Sequence, residues 1–239
     1  MADHRGVAGR EYRVTLLDYR DTGLSSAAAQ PYSEIEDLAA VLAAVPVTSA
    51  VLVACSDGAR RALAYAHRYP NAVRRVVVVG GSFGEFPDPT PEEAMARQEI
   101  RDLVKRREHA LATTGIYADA EIDIDAWGPA LNADDRRLMI GLHVANSYYT
   151  ALEDYLGTEL DPPVNTRFNE ITTPVTVLAG EHDFTATQLW AHRIANQAPN
   201  ARLHLLPGAD HFPMLSQPRQ FEHHLRQALA RHAGPTARS

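Results

Sequence analysis

With 239 residues, 22% charged and 45% hydrophobic, the chain holds enough apolar material for one sizeable core, which favours an α/β domain with an insertion. Its 23 basic and 30 acidic side chains leave a formal charge of −7 and no basic run that would track phosphates, arguing against nucleic acid and anionic membrane as partners. The first fifteen residues contain no signal-like apolar stretch, no segment approaches the ~18 apolar residues of a membrane span, and the single cysteine, Cys55, excludes an intrachain disulfide; the expected location is the cytoplasm.

In chain order, RVTLLD (13–18) is the first strand-like run. Ser33 and Glu36 have capping-box spacing and precede Leu38, Val41, Leu42 and Val45 at helical period, predicting a helix. AVLVAC (50–55) reads as a strand, 57–68 as a helix stopped by Tyr69-Pro70, and RRVVVVG (74–80) as a further strand. PVTVLAG (174–180), a helix over 186–198, ARLHLLPG (201–208) and a helix over 218–231 complete the alternation, and the tail GPTARS is expected to fray. Continuous apolar runs suit strands buried on both faces. Their alternation with helices predicts a doubly wound, mostly parallel sheet of about five strands.

One stretch breaks the rhythm. Between Ser82 and about Asn165 nothing has strand character. Thr90, Pro91 and Glu93 start a helix carrying Ile100, Leu103, Val104 and Leu111 and ending at Gly115. Asn132 and Asp135 start another, through Leu138, Leu142, Ala145, Tyr149, Leu152 and Leu156 to Gly157. The organisation expected is a core of residues 1–82 and 166–239, with 83–165 forming a helical cap. That cap should cover the carboxyl edge of the sheet, where ligands bind in such folds, and enclose an apolar pocket.

Within VLVACSDGARRA, Ser56 ends a buried strand just before a helix. It either caps that helix or is a nucleophile on a sharp strand-to-helix turn, flanked two residues away by Ala54 and Gly58. After the strand 174–180 comes GEHD, with Asp183; after 201–208 comes GADHFP, with His211. Serine, acid and histidine thus follow one another, each at the carboxyl end of its own strand, in the chain order of a hydrolytic triad. Glu181 is an alternative acid, placed less well inside its turn. Cys55 adjoins Ser56 but should point away as a small buried hydrophobe. His182, His204, His211 and Asp210 match no standard metal spacing, so no metal is expected. Trp127, His143, Tyr148 and Tyr149 either line the cap's pocket or pack the cap itself.

RVTLLDYRDTGLSS, PYSEIEDLAAVLAAV and SAVLVACSDGARRALAYAHRYPNAVRRVVVVGG, followed by ITTPVTVLAGEHD and LLPGADHFPMLSQPRQFEHHL, resemble in series the α/β-hydrolase superfamily, in its helical-cap branch of small esterases, enol-lactonases and C–C hydrolases. The resemblance covers 12–82 and 171–230; the cap matches in position and helicity alone. It implies Ser56 as nucleophile, Asp183 as acid, His211 as base, an oxyanion-hole amide at Asp57, a small-molecule substrate and no cofactor. A homodimer is compatible with it.

The chain also departs from that pattern. The family's third strand lies between the strands matching 13–18 and 50–55 and ends in a His-Gly loop that supplies a second oxyanion amide; here it has no counterpart. Asp21, Ala54 and Asp210 stand where the family has glycine. The expectation is that strand 13–18 pairs directly with 50–55, since a gap would leave two rows of backbone donors and acceptors unpaired. The loop Tyr19 to Ser26 would then replace the missing oxyanion loop through amides around Tyr19 to Thr22, with Arg20 adding charge. The activity expected is cofactor-free serine hydrolysis of a small ester, lactone or thioester. A non-hydrolytic lyase or cyclisation step in the same pocket, and a non-catalytic binding protein, are the alternatives.

Overall fold

The computed structural model describes residues 12–45, 47–146, 156–158 and 163–230. Its centre is a four-stranded parallel sheet of β1 (Ala50–Cys55), β2 (Val73–Val79), β3 (Val175–Gly180) and β4 (Ala201–Leu206), hydrogen-bonded in that order. Each crossover contains a helix, as parallel pairing requires. Helices α1 (Glu34–Ala44), α2 (Gly58–Arg68) and α6 (Thr185–Gln197) build one layer, and α7 (Pro218–Ala230) lies on the opposite face of the sheet.

The unbroken valine run of β2 follows from this sandwiching. Val76 and Val78 enter the α1/α2/α6 core while Val77 and Val79 enter the α7 core, and all four are at most 1% exposed. In β1, Leu52 and Ala54 pack on the first side and Val51 and Cys55 on the second, but Val53 is 51% exposed.

RVTLLD forms no strand. Residues 13–18 run irregularly, and β1 has no ladder partner on its outer edge among the described residues. A groove of about 760 Å³ lies there, with Arg13, Val14, Thr15 and Leu16 on one bank and Val51, Leu52 and Val53 on the other. The expected direct pairing with 50–55 is therefore corrected, and the sheet has four strands instead of about five. Strand propensity becomes a strand only when a facing backbone takes up the alternate N–H and C=O groups, and among the described residues none does so.

Between β2 and β3 the described chain carries α3 (Pro91–Thr113), α4 (Ile116–Trp127) and α5 (Ala133–Ala145). Thr90 and Glu93 close a full capping box at the start of α3, and the Glu93 carboxylate also accepts from Arg193 of α6 at 2.8 Å, tying the insertion to the core. Phe86 stacks on Trp190 of α6 at 4.0 Å. Helix α4 was not expected. Its segment EIDIDAW alternates acidic and apolar residues like a strand, and carboxylates of α4 are neutralised from the helices on either side: Asp119 by Arg107 of α3, Asp125 by Arg136 of α5. The expected helix 132–157 is corrected: it ends at Ala145 with Asn146 as its cap, and Gly157–Thr158, in a stretch where no strand was expected, pair in parallel with Tyr32–Ser33. Residues 147–155, with Tyr148 and Tyr149, and the tail GPTARS lie outside the described residues. No helix of the described residues is long and apolar enough to cross a membrane.

Candidate active site

Ser56 stands between β1 and α2 with φ at 53°, one of three non-glycine residues among those described with positive φ. A left-handed serine is costly and persists where surrounding bonds over-determine it. Here its amide donates to Val79 O at 2.9 Å, and its carbonyl accepts from Ala59 N at 3.0 Å and Ser82 N at 3.2 Å. The helix-cap explanation loses its footing, because α2 is headed by Asp57 and has no side-chain cap bond.

Asp183 follows β3 and His211 follows β4, and backbone bonds lace the two loops: Glu181 N to Leu206 O at 3.1 Å, His182 N to Ala209 O at 2.8 Å. His211 Nδ1 lies 2.9 Å from Asp183 Oδ2 and 3.1 Å from Oδ1. Both residues are buried, and Asp183 Oδ1 also accepts from Phe184 N at 2.7 Å. Gly80 at the end of β2 connects this pair to the serine corner. It follows Val79, which holds the Ser56 amide, and a Cβ on it would sit 2.9 Å from His211 Nδ1 and 3.1 Å from Asp183 Oδ2. Sequence reasoning passed over Gly80, although the Gly80-Gly81 pair closing an apolar strand was a visible signal of close approach.

The neighbours take distinct roles. Glu181, the alternative acid, accepts from Gly208 N at 2.9 Å on the surface and turns away from His211 into loop bracing. His204 packs against His224 of α7, with ring centroids 4.4 Å apart. Burial and the Asp183 charge push the Cys55 thiol up to about 12, so it stays protonated and unreactive beside Ser56.

The Asp57 amide heads α2 and donates to no acceptor among the described residues. Its carboxylate pairs with Arg60 at 3.0 Å and with Arg61, and both arginines also hold Glu34, which is 1% exposed. Burial pushes the Asp57 carboxyl up, but Arg60 and Arg61 outweigh it and leave it below its ordinary value. Tyr19 joins this cluster, its ring 4.4 Å beneath the Arg61 guanidinium. Arg20 does not; it pairs with Asp37 of α1 at 2.9 Å, so its charge is spent there. The amides of Asp21 and Thr22 are committed to Ser26 O and Tyr19 O within their own turn. Of the amides expected to replace the oxyanion loop, those of Asp21 and Thr22 are thus used up within the turn, which leaves Tyr19 and Arg20.

Trp127 arrives at the site from the end of α4. Its ring lies 4.5 Å from His211 and 4.4 Å from Phe184, and its carbonyl accepts from the His211 amide at 3.2 Å. His143 is elsewhere, clamped inside the insertion. Its Nε2 is 3.0 Å from Asp119 Oδ2 and its Nδ1 3.2 Å from Asp123 Oδ2, with Arg107 of α3 on both carboxylates. It packs α4 against α5 and lines no pocket wall beside Ser56. The Asp123 carboxylate raises the His143 pKa above its ordinary 6.5; burial opposes the shift and Asp119 adds to it.

A raised histidine pKa stabilises the fold fully below the unfolded value and loses that contribution as pH climbs through the folded one. His143→Gln, which cannot titrate, should therefore lower Tm most below about pH 6.5 and progressively less above it. A Tm difference flat across that range would mean that the fold does not raise the His143 pKa.

A family model described as alpha/beta hydrolase family matches residues 3–223. A protein of Caulobacter sp. (strain K31), named "Putative carbamate hydrolase RutD", is 27% identical over 223 residues, covering 88% of this chain and 78% of that protein. A thermophilic esterase from Thermogutta terrifontis is similar in structure, with a TM-score of 0.71 at 20% identity over 95% of this chain and 83% of its own. Est816, described as an N-acyl homoserine lactone degrading enzyme, superposes with a TM-score of 0.63 at 24% identity, covering 88% of this chain and 80% of its own.

Proposed function

The chain belongs to the alpha/beta hydrolase family and is an enzyme of hydrolase type, and from that premise we propose that it hydrolyses a small-molecule ester, lactone or thioester through Ser56, His211 and Asp183. The observation that carries this reading is the left-handed Ser56 at its strand-to-helix corner, with the buried His211–Asp183 pair across Gly80. The names of the similar carbamate hydrolase and lactone-degrading enzyme are in keeping with an acyl substrate.

Each role follows from position. Asp183 on Nδ1 keeps that nitrogen protonated, which leaves Nε2 of His211 as the base, and stabilises the imidazolium once formed. His211 accepts the Ser56 proton as Oγ attacks the carbonyl carbon, and returns it to the leaving group as the carbon–leaving-group bond breaks. Water, deprotonated by the same imidazole, then releases the acid from the acyl-serine. The Asp57 amide and the amino end of the eleven-residue helix α2 face the developing oxyanion. Among the described residues no hydrogen bond joins the Ser56 hydroxyl to His211. Such contacts commonly tighten only in the substrate complex. Helices α3 to α5 act as the cap that brings Trp127 over His211.

A fluorophosphonate probe tests the reading. Incubation of the folded protein, followed by peptide mapping, should place the adduct on Ser56. A folded protein that stays unlabelled, or one labelled elsewhere, ends the serine-hydrolase proposal.

A further inference from the structure

Asp210 precedes His211 and is fully buried, with no cation paired to it among the described residues. Desolvating a carboxylate without a counter-charge is expensive unless donors surround it. Three do. Phe212 N at 2.9 Å and the Ser216 hydroxyl at 2.8 Å reach Oδ1, and Ala130 N at 3.0 Å reaches Oδ2. The first two are local bonds that shape the turn before Pro213, a task a serine or an asparagine performs as well. The third crosses eighty positions of sequence to the helical insertion.

That bond lies beside two other contacts between the same partners. The His211 amide donates to Trp127 O at 3.2 Å, and the Trp127 ring lies against the imidazole at 4.5 Å. The insertion therefore grips the histidine loop at three adjacent points: ring, amide and carboxylate. On the other side the loop is pressed against β3, where a Cβ on Gly180 would fall 2.3 Å from Asp210 O. With no room to sink toward β3, a loop freed from the insertion moves outward and carries the imidazole away from Asp183.

We propose that Asp210 is a positioning residue: through Ala130 it locks the insertion to the histidine loop and so sets the angle of the His211 imidazole between Asp183 and Ser56. This rests on the triad reading above. A glycine at 210 leaves the loop held by the Trp127 contacts alone, whereas the buried carboxylate adds the bond that ties the placement of the base to where the insertion sits.

Asp210→Asn is isosteric and leaves one donor facing the new amide nitrogen, whichever way the side chain turns. Ala130→Pro removes the insertion's N–H and leaves the carboxylate intact. Steady-state hydrolysis of p-nitrophenyl acetate and the rate of fluorophosphonate labelling are measured on both, with circular dichroism to confirm folding. Each should lose kcat by roughly ten- to a hundredfold, as expected for a small displacement of a reacting group, with the labelling rate falling in parallel and KM moving less than about twofold. Ser216→Ala, which removes bonds within the turn and leaves the one to the insertion, should keep kcat within about twofold of wild type. Folded Asn and Pro variants with wild-type kcat overturn the proposal, and so does a rise in KM at constant kcat, which would make Asp210 a support for substrate binding. If Ser56→Ala and His211→Ala hydrolyse the ester as wild type does, the triad reading itself fails, whatever the position-210 variants show, and this proposal falls with it.

Discussion

Ser56→Ala should lower turnover of a chromogenic ester by a factor on the order of 10⁴ to 10⁶ while leaving the fold intact, and Asp183→Asn should cost on the order of 10⁴ through the wrong imidazole tautomer. The large factor is expected because nothing beside Ser56 replaces it. The adjacent Cys55 thiol is pushed up to about 12 and stays protonated at neutral pH. A second variant separates catalysis from stability. Ser56 is held at φ 53°, a conformation that costs a non-glycine residue on the order of 1–3 kcal/mol. Ser56→Gly relieves that strain at the expense of a more flexible unfolded chain, and should be as inactive as Ser56→Ala yet melt higher than it. Thermal melts and initial rates on the two variants decide it. A glycine variant that melts below the alanine one would mean the corner is unstrained, and residual activity near wild type would remove Ser56 from the chemistry.

What the sequence made legible follows from how local each signal is. β1 matches AVLVAC residue for residue, and α2, α3, α6 and α7 lie within a residue or two of their apolar periodicity and caps. The strand-end positions of Ser56, Asp183 and His211 were readable for the same reason, because strand ends are marked by abrupt changes in composition. Four things were not legible. RVTLLD has the composition of a strand, but a ladder needs a partner, and the partner is a property of the whole chain. Helix α4 is held by Arg107, His143 and Arg136, none of which lies inside its own segment. Arg20 reads as a free cation near the site until α1 brings Asp37 to it. The same holds for His143, for which pocket lining and cap packing were both open until its two aspartates made it a clamp inside the cap.

Gly180→Ala should be the most damaging single methyl in the core. A Cβ there would meet Asp210 O at 2.3 Å, Ala209 O at 2.5 Å and the Ala209 carbonyl carbon at 2.7 Å. These are backbone atoms, so no rotamer change relieves the clash; the two loops must separate by roughly 1 Å to reach van der Waals distance, enough to cost about a hundredfold in rate when a reacting group is carried along. The group carried along is His211, one residue beyond Asp210, and the bonds strained are Glu181 N to Leu206 O and His182 N to Ala209 O. Overpacking of this kind also destabilises, by about 1–3 kcal/mol and at the upper end where backbone must move. Gly141 supplies the control, since it lies inside α5 and a Cβ there meets nothing within 4 Å. Gly141→Ala should raise stability by about 0.5–1 kcal/mol, because alanine loses less backbone freedom than glycine on entering a helix. Denaturant unfolding of the two variants should therefore move in opposite directions, with kcat/KM falling only for Gly180→Ala. If Gly180→Ala unfolds at the wild-type midpoint and keeps wild-type kcat/KM, the histidine loop does not press on β3 as described, and the tight seat that fixes His211 beside Asp183 is not there.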